Sequence, residues 1–182
     1  RKGTVLAIDA DPSTNLYMAL GLPVKETVGD IREELAVLVQ KGKFSPGMTK
    51  QDYLEAKISE ALVESPKIDL LAMGRPEGPS CYCAANNMIR TCIDRLGKNY
   101  DYVVIDCEAG MEHISRQTTR DIDVMLLVSD LTVRGILTAA NMQALIKDLR
   151  TYVCKIRLIV NRASSPLPPM IAKTIEQSSL QV

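Results

Sequence analysis

Two stretches carry the residue types best suited to chemistry. Ser80-Cys81-Tyr82-Cys83 places two thiols one residue apart, after the Pro/Gly-rich run Arg75-Pro76-Glu77-Gly78-Pro79. Val103-Val104-Ile105-Asp106-Cys107-Glu108-Ala109-Gly110 is an apolar run ending in an aspartate, with a glycine four residues later. Thiolates suit a thiophilic metal. An aspartate at the end of a buried strand suits the Mg²⁺ of a nucleotide, and a glycine amide can approach a terminal phosphate. A chain that combines the two is expected to use ATP to control metal binding.

Further polar residues sit at the ends of apolar runs. Asp9-Ala10-Asp11-Pro12 follows the first run directly. Its carboxylates can orient an attacking water or hold a Mg²⁺ shell, and Asp before Pro can equally open a helix. Asn161 follows the last run. Its amide offers a donor and an acceptor to a purine edge, or it can serve as a turn residue. The sequence holds no Gly-x-x-x-x-Gly-Lys-Ser/Thr, the loop whose amides and lysine cradle phosphates. Arg1-Lys2-Gly3 reads as the end of a helix with a glycine cap. Both ends of the chain are therefore expected to be cut. A strand, a phosphate loop and a helix are expected upstream, and the chain as it stands is not expected to hydrolyse ATP.

Cys-x-Cys cannot fill a tetrahedral site alone, whereas two copies across a two-fold axis supply four thiolates. The stiff loop before it argues against two packed, inert cysteines and leaves a redox-active pair as the other reading. Cys92 lies on an apolar helical stripe and Cys107 beside Asp106, so both are expected to be small core residues. Cys154 has no partner in sequence, and His113 is the only histidine.

Elements must position these residues. Five near-continuous apolar runs, residues 4–8, 68–73, 102–105, 124–128 and 156–160, read as parallel strands covered on both faces. Between them lie helical stripes. Val28, Ile31, Leu35 and Leu38 form one, and Leu54, Ile58, Ala61 and Leu62 another. Met88, Ile89, Cys92 and Leu96 form a third, and Ile136, Ala140, Ile146 and Leu149 a fourth. Residues 42–48, with Pro46 and Gly47, read as a loop. The alternation predicts one doubly wound, mostly parallel α/β domain over residues 1–182, with ligands beyond the carboxyl ends of its strands. Asp9, Asp11, Gly74, Arg75, Asp106, Ser129, Asp130 and Asn161 fall there.

With 46% hydrophobic residues, no Trp and one Phe, aliphatic side chains must supply the core. Lys+Arg and Asp+Glu both total 22 and form no long run. That disfavours nucleic acid or an anionic membrane as partner. No apolar stretch approaches a bilayer span and no secretory signal is visible. Five cysteines, an odd number, fit a reducing cytoplasm.

The order of Asp9-Ala10-Asp11-Pro12, Cys81-Tyr82-Cys83, Asp106-Cys107-Glu108-Ala109-Gly110-Met111-Glu112-His113 and Asn161-Arg162 resembles the CooC-type accessory ATPases of carbon monoxide dehydrogenase and acetyl-CoA synthase. These are a branch of the MinD/ParA/nitrogenase-iron-protein group of P-loop NTPases, which have a deviant Walker A motif. The resemblance covers nearly the whole chain. It implies ATP/ADP and Mg²⁺ as ligands, ATP-dependent homodimerisation, and delivery of nickel to a metallocluster client. By position, Asp11 would activate water, Asp9 would support Mg²⁺ and Asp106 would be the Walker B acid. Gly110 would sense the γ-phosphate, and Asn161, beside Arg162, would read adenine. Cys81 and Cys83 would bind Ni²⁺ or Zn²⁺ at the dimer interface. Asn15 stands where iron-protein relatives carry a second switch aspartate. Competing readings are an iron-protein-like electron-transfer protein, a MinD/ParA-type positioning ATPase and a binding-only adaptor.

Overall fold

The computed structural model describes residues 3–45, 47–75, 83–110, 121–148, 152–163 and 166–182, with residues 83–87 and 147–148 described by backbone alone. The chain divides into two compact units, Arg1–Glu108 and Ala109–Val182.

The first unit runs β1 (Val5–Asp9), α1 (Leu16–Leu20), α2 (Val28–Gln40), α3 (Lys50–Ala61), β2 (Asp69–Ala72), α4 (Cys83–Gly97) and β3 (Tyr102–Asp106). Its sheet has the order β2-β1-β3 with both pairings parallel. β1 and β2 are the continuous apolar strands that the sequence predicts. Leu6, Leu70 and Leu71 are fully buried. Helices α2, α3 and α4 bury their stripes against this sheet. Val28, Ile31, Leu35, Leu54, Ile58, Ile89 and Cys92 share one core with Leu6, Ile8 and Leu71.

Local chemistry sets the helix boundaries. Thr27 and Asp30 form a reciprocal capping box at the start of α2, satisfying amides that the first turn leaves open. Thr49 caps α3 by accepting from Asp52 N–H at 3.1 Å.

The second unit runs β4 (Asp121–Ser129), α5 (Val133–Asp148), β5 (Tyr152–Val160) and α6 (Pro169–Gln177). β4 and β5 pair in parallel from Asp121↔Tyr152 to Ser129↔Val160. Met125, Leu127 and Leu158 pack on Ile136, Ala139 and Ile146 of α5 and on Ile171 and Ile175 of α6.

All five predicted strands and four predicted helices are present, in parallel sheets of an α/β fold. Two features differ from expectation. Two short helices, α1 and α6, have no counterpart in the predicted stripes. Burial on both faces holds for β1 and β2 but not for β3, whose Tyr102, Val103, Val104 and Ile105 are 36–58% exposed. Among the described residues β3 pairs only with β1, so an apolar run here is an edge strand. On β4, Val124, Leu126 and Val128 are exposed while Met125, Leu127 and Ser129 are buried. That is the alternation of a strand covered on one face. The expected helix end at residues 1–3 falls mostly outside the described residues.

Candidate functional site

Parallel pairing brings two carboxylates side by side in the first unit. Asp9 ends β1 and Asp106 ends β3, and the two are register partners. Asp9 is fully buried. Its Oδ1 accepts from Asp11 N–H at 3.2 Å and its Oδ2 from Leu16 N–H at 2.9 Å. One buried carboxylate therefore holds both the Asp11 turn and the start of α1. Asp11 accepts from Ser13 N–H through its Oδ1 at 2.8 Å, while its carbonyl accepts from Thr14 N–H at 2.9 Å. Thr14 takes a left-handed φ of 50° to close that turn. The helix-opening reading of Asp11-Pro12 gives way to a turn, since α1 begins only at Leu16.

The charge of this cluster shows in Asp106. Its carboxyl lies above the ordinary range, first because neighbouring atoms strip part of its hydration, then because Asp9 and Asp11 repel its charged form. A divalent cation would relieve that repulsion. Among the described residues no three His, Cys, Asp or Glu side chains are arranged as a ready-made metal cage.

Cys107 follows directly. Its thiol is raised, first by partial loss of hydration beside neighbouring atoms and then by the charges of Asp106 and Glu108. Its side chain is exposed rather than part of the core, a correction to the sequence reading. Cys92 is buried, as expected. Its Sγ lies 3.2 Å from Gln51 Nε2.

In the second unit, the carboxyl ends of β4 and β5 are tied by Asn161 N–H donating to the Ser129 carbonyl at 2.7 Å. Asn161 Oδ1 accepts from Arg162 N–H at 2.9 Å, and Arg162 is left-handed with φ 55°. The amide oxygen of Asn161 thus spends one acceptor site on the local turn. Thr132 Oγ1 donates to Asp130 Oδ1 at 2.7 Å and accepts from Gly135 N–H at 3.0 Å, which caps α5. Gly110 has a φ of 111°, a conformation that L side chains rarely adopt. A glycine at that position is thus required by the backbone.

The structure brings Asp9, Asp11 and Asp106 together at the carboxyl edge of one sheet, and places Asn161 and Arg162 at the same edge of the other. Cys81 and His113 lie outside the described residues. Cys83 is described only as the first residue of α4. The helix α1, which Asp9 holds, was missed by periodicity. The spacing from Asp9 to the apolar run Leu16-Tyr17-Met18-Ala19-Leu20 was the signal available for it.

Residues 1–159 match the AAA domain family, and the chain belongs to that family. It is 44% identical over 182 residues to an uncharacterised ATP-binding protein of Methanocaldococcus jannaschii, covering all of this chain and 72% of that one. It is 31% identical over 176 residues to the carbon monoxide dehydrogenase accessory protein CooC of Rhodospirillum rubrum, covering 90% of this chain and 65% of that protein. Among solved structures, a ParA family ATPase of Chlorobium tepidum aligns over all of this chain and 69% of its own. The TM-score is 0.65 at 17% identity. MinD of Aquifex aeolicus aligns over all of this chain and 67% of its own, with a TM-score of 0.59 at 22% identity. The fold is that of the MinD/ParA ATPases.

Proposed function

We propose that residues 1–182 form most of one nucleotide-binding domain of an ATP-dependent metallochaperone. It would serve nickel insertion into a carbon monoxide dehydrogenase or acetyl-CoA synthase client. The observation that carries the nucleotide part is the in-register pair of Asp9 and Asp106 with Asp11 beside it. The similarity to the carbon monoxide dehydrogenase accessory protein CooC supports the client.

Each residue has an assigned task. Asp106 holds the Mg²⁺ shell, beside the Asp9 carboxylate that is its register partner. Bound Mg²⁺ would neutralise phosphate charge. Asp9 is a positioning residue as much as a ligand, because both its oxygens already fix Asp11 and Leu16. Asp11 engages Ser13 with one oxygen and is assigned to orient the attacking water with the other. Gly110 offers its amide to the terminal phosphate, and Asn161 with Arg162 takes the base. Hydrolysis needs a phosphate-binding loop with its lysine in addition to these groups.

Cys81 and Cys83 are assigned to the cargo, Ni²⁺ or Zn²⁺, as two of four thiolates shared by an ATP-bound homodimer in the cytoplasm. For ATP to drive release, the metal must bind the two nucleotide states unequally, and a tenfold difference corresponds to about 1.4 kcal/mol. Neither nucleic acid nor membrane is a partner in this reading. Among the described residues no helix is long and apolar enough to cross a membrane.

Metal analysis of anaerobically purified protein tests the assignment. It is run with ADP, with a non-hydrolysable ATP analogue, and in Cys81→Ser/Cys83→Ser. About one metal ion per two chains, lost in the double variant, is expected for a four-thiolate site. Equal metal content in wild type and variant removes the metallochaperone reading. A band near 400 nm after reconstitution with iron and sulfide would favour the electron-transfer alternative.

A further inference from the structure

The carbonyl of Asp9 does something that its carboxylate does not. It accepts from Met73 N–H at 2.8 Å, and the Met73 carbonyl in turn accepts from Gly29 N–H at 2.9 Å. On the other side, Ala10 N–H donates to the Asp106 carbonyl at 2.8 Å. A continuous backbone ladder therefore runs from Asp106 through the Asp9 segment and the end of β2 to the first turn of α2.

Two glycines press this ladder closed. Gly74 has a φ of 68°, and a Cβ there would lie 2.3 Å from Thr27 Oγ1 and 2.6 Å from Thr27 Cβ. A Cβ on Gly29 would lie 2.7 Å from the Arg75 carbonyl oxygen. Thr27 cannot easily turn aside, because its hydroxyl is committed to the Asp30 capping box at 2.7 Å. The turn at residues 73–75 thus sits against α2 with no room for a methyl group on either side. Contacts packed this tightly shift as a unit instead of absorbing displacement.

We infer that residues 73–75, clasped by Thr27, Gly29 and Gly74, are a positioning joint that reports the ligand state of the carboxylate site. A nucleotide and its Mg²⁺ act on the Asp9 and Asp106 carboxylates. The resulting shift of Asp9 reaches Met73 across one hydrogen bond and Gly29 across two. The chain beyond Arg75 leads within eight residues to Cys83. This regulatory role rests on the nucleotide part of the function proposed above, and not on its metal part.

Backbone amide exchange in the gene's full product tests the joint, with Mg²⁺-ADP compared against Mg²⁺ and a non-hydrolysable ATP analogue. In the wild type, exchange at Gly29 and Met73 is expected to differ at least threefold between the two ligands. In Gly29→Ala that difference should vanish while each nucleotide still binds within about threefold of wild type. A purely structural glycine would lower the melting temperature and leave the difference intact. Gly74→Ala should behave likewise. Equal exchange under both ligands in the wild type overturns the joint, as does a difference that survives in Gly29→Ala. If the difference follows this pattern while Cys81→Ser/Cys83→Ser keeps its metal, the joint stands and the metallochaperone reading falls.

Discussion

At the residue scale, the geometry separates two carboxylates that look alike in sequence. Asp9 is buried and spends both oxygens on backbone amides. Asp106 stands at the open rim with a raised carboxyl. The sign of the second effect can be tested. A carboxyl raised by folding adds stability below its unfolded value, and that contribution is lost as pH climbs through its folded value. Asp106→Asn should therefore melt higher than wild type at pH 7, with solvent screening holding the gain to about 1 kcal/mol or less. Its melting temperature should also fall less than that of wild type as pH rises from about 4 toward neutrality. Millimolar Mg²⁺ should stabilise the wild type and not the variant. A variant that melts lower at pH 7 would show that Asp106 is not under repulsion. Asp9→Asn presents the opposite case. One of its amide partners would face an NH₂ in place of an oxygen, at a cost of roughly 1–3 kcal/mol, the penalty for a buried group left unsatisfied.

At the element scale, packing decides which parts of the chain can be read in advance. Leu54 of α3 is fully buried in the core shared by α2 and α4. Leu54→Ala should cost about 2–5 kcal/mol in urea unfolding, the range for emptying a packed leucine site. A loss under 1 kcal/mol would mean that the three helices do not share one core. Thr27→Ala removes a capping-box hydroxyl and should cost about 1 kcal/mol. The helices α2 to α5 were legible because each buries a stripe that repeats over several turns. α1 was not, because five residues with none buried leave no period to detect. β1 and β2 read correctly as covered strands. β3 did not, because Tyr102 to Ile105 are as apolar as a central strand and composition does not say which neighbours are present. The aspartates were legible as strand-end residues. Their hydrogen bonds to Leu16 and Met73 were not, since these depend on how separate segments register across the sheet. The Cys-x-Cys pair lies outside the described residues, apart from the backbone of Cys83.

At the scale of the whole molecule, the surface carries the next test. Each unit presents apolar strand residues to solvent. In the first these are Val103 and Val104 on β3, at 42% and 54% exposure, and in the second Leu126 and Val128 on β4, at 53% and 64%. Contiguous apolar strand surface of this kind is unusual on a protein that works alone in water, and an edge strand with open backbone groups invites further pairing. A net formal charge of zero gives the 182-residue chain little electrostatic protection against association. The chain expressed as residues 1–182 should therefore self-associate at micromolar concentration and scatter light on warming. Val104→Lys and Leu126→Lys should each raise its soluble monomer fraction, because a lysine on a solvent-facing strand position opposes edge-to-edge pairing. In a form extended to the length of its relatives the same substitutions should act in reverse if added segments cover these faces. A lysine buried there without a partner would cost roughly 2–5 kcal/mol. Light scattering of the short form and thermal melts of the long form distinguish the cases. Unchanged scattering in both variants would place the association elsewhere on the surface. Unchanged melting of the long form would show that these strand faces meet water in the working protein as well.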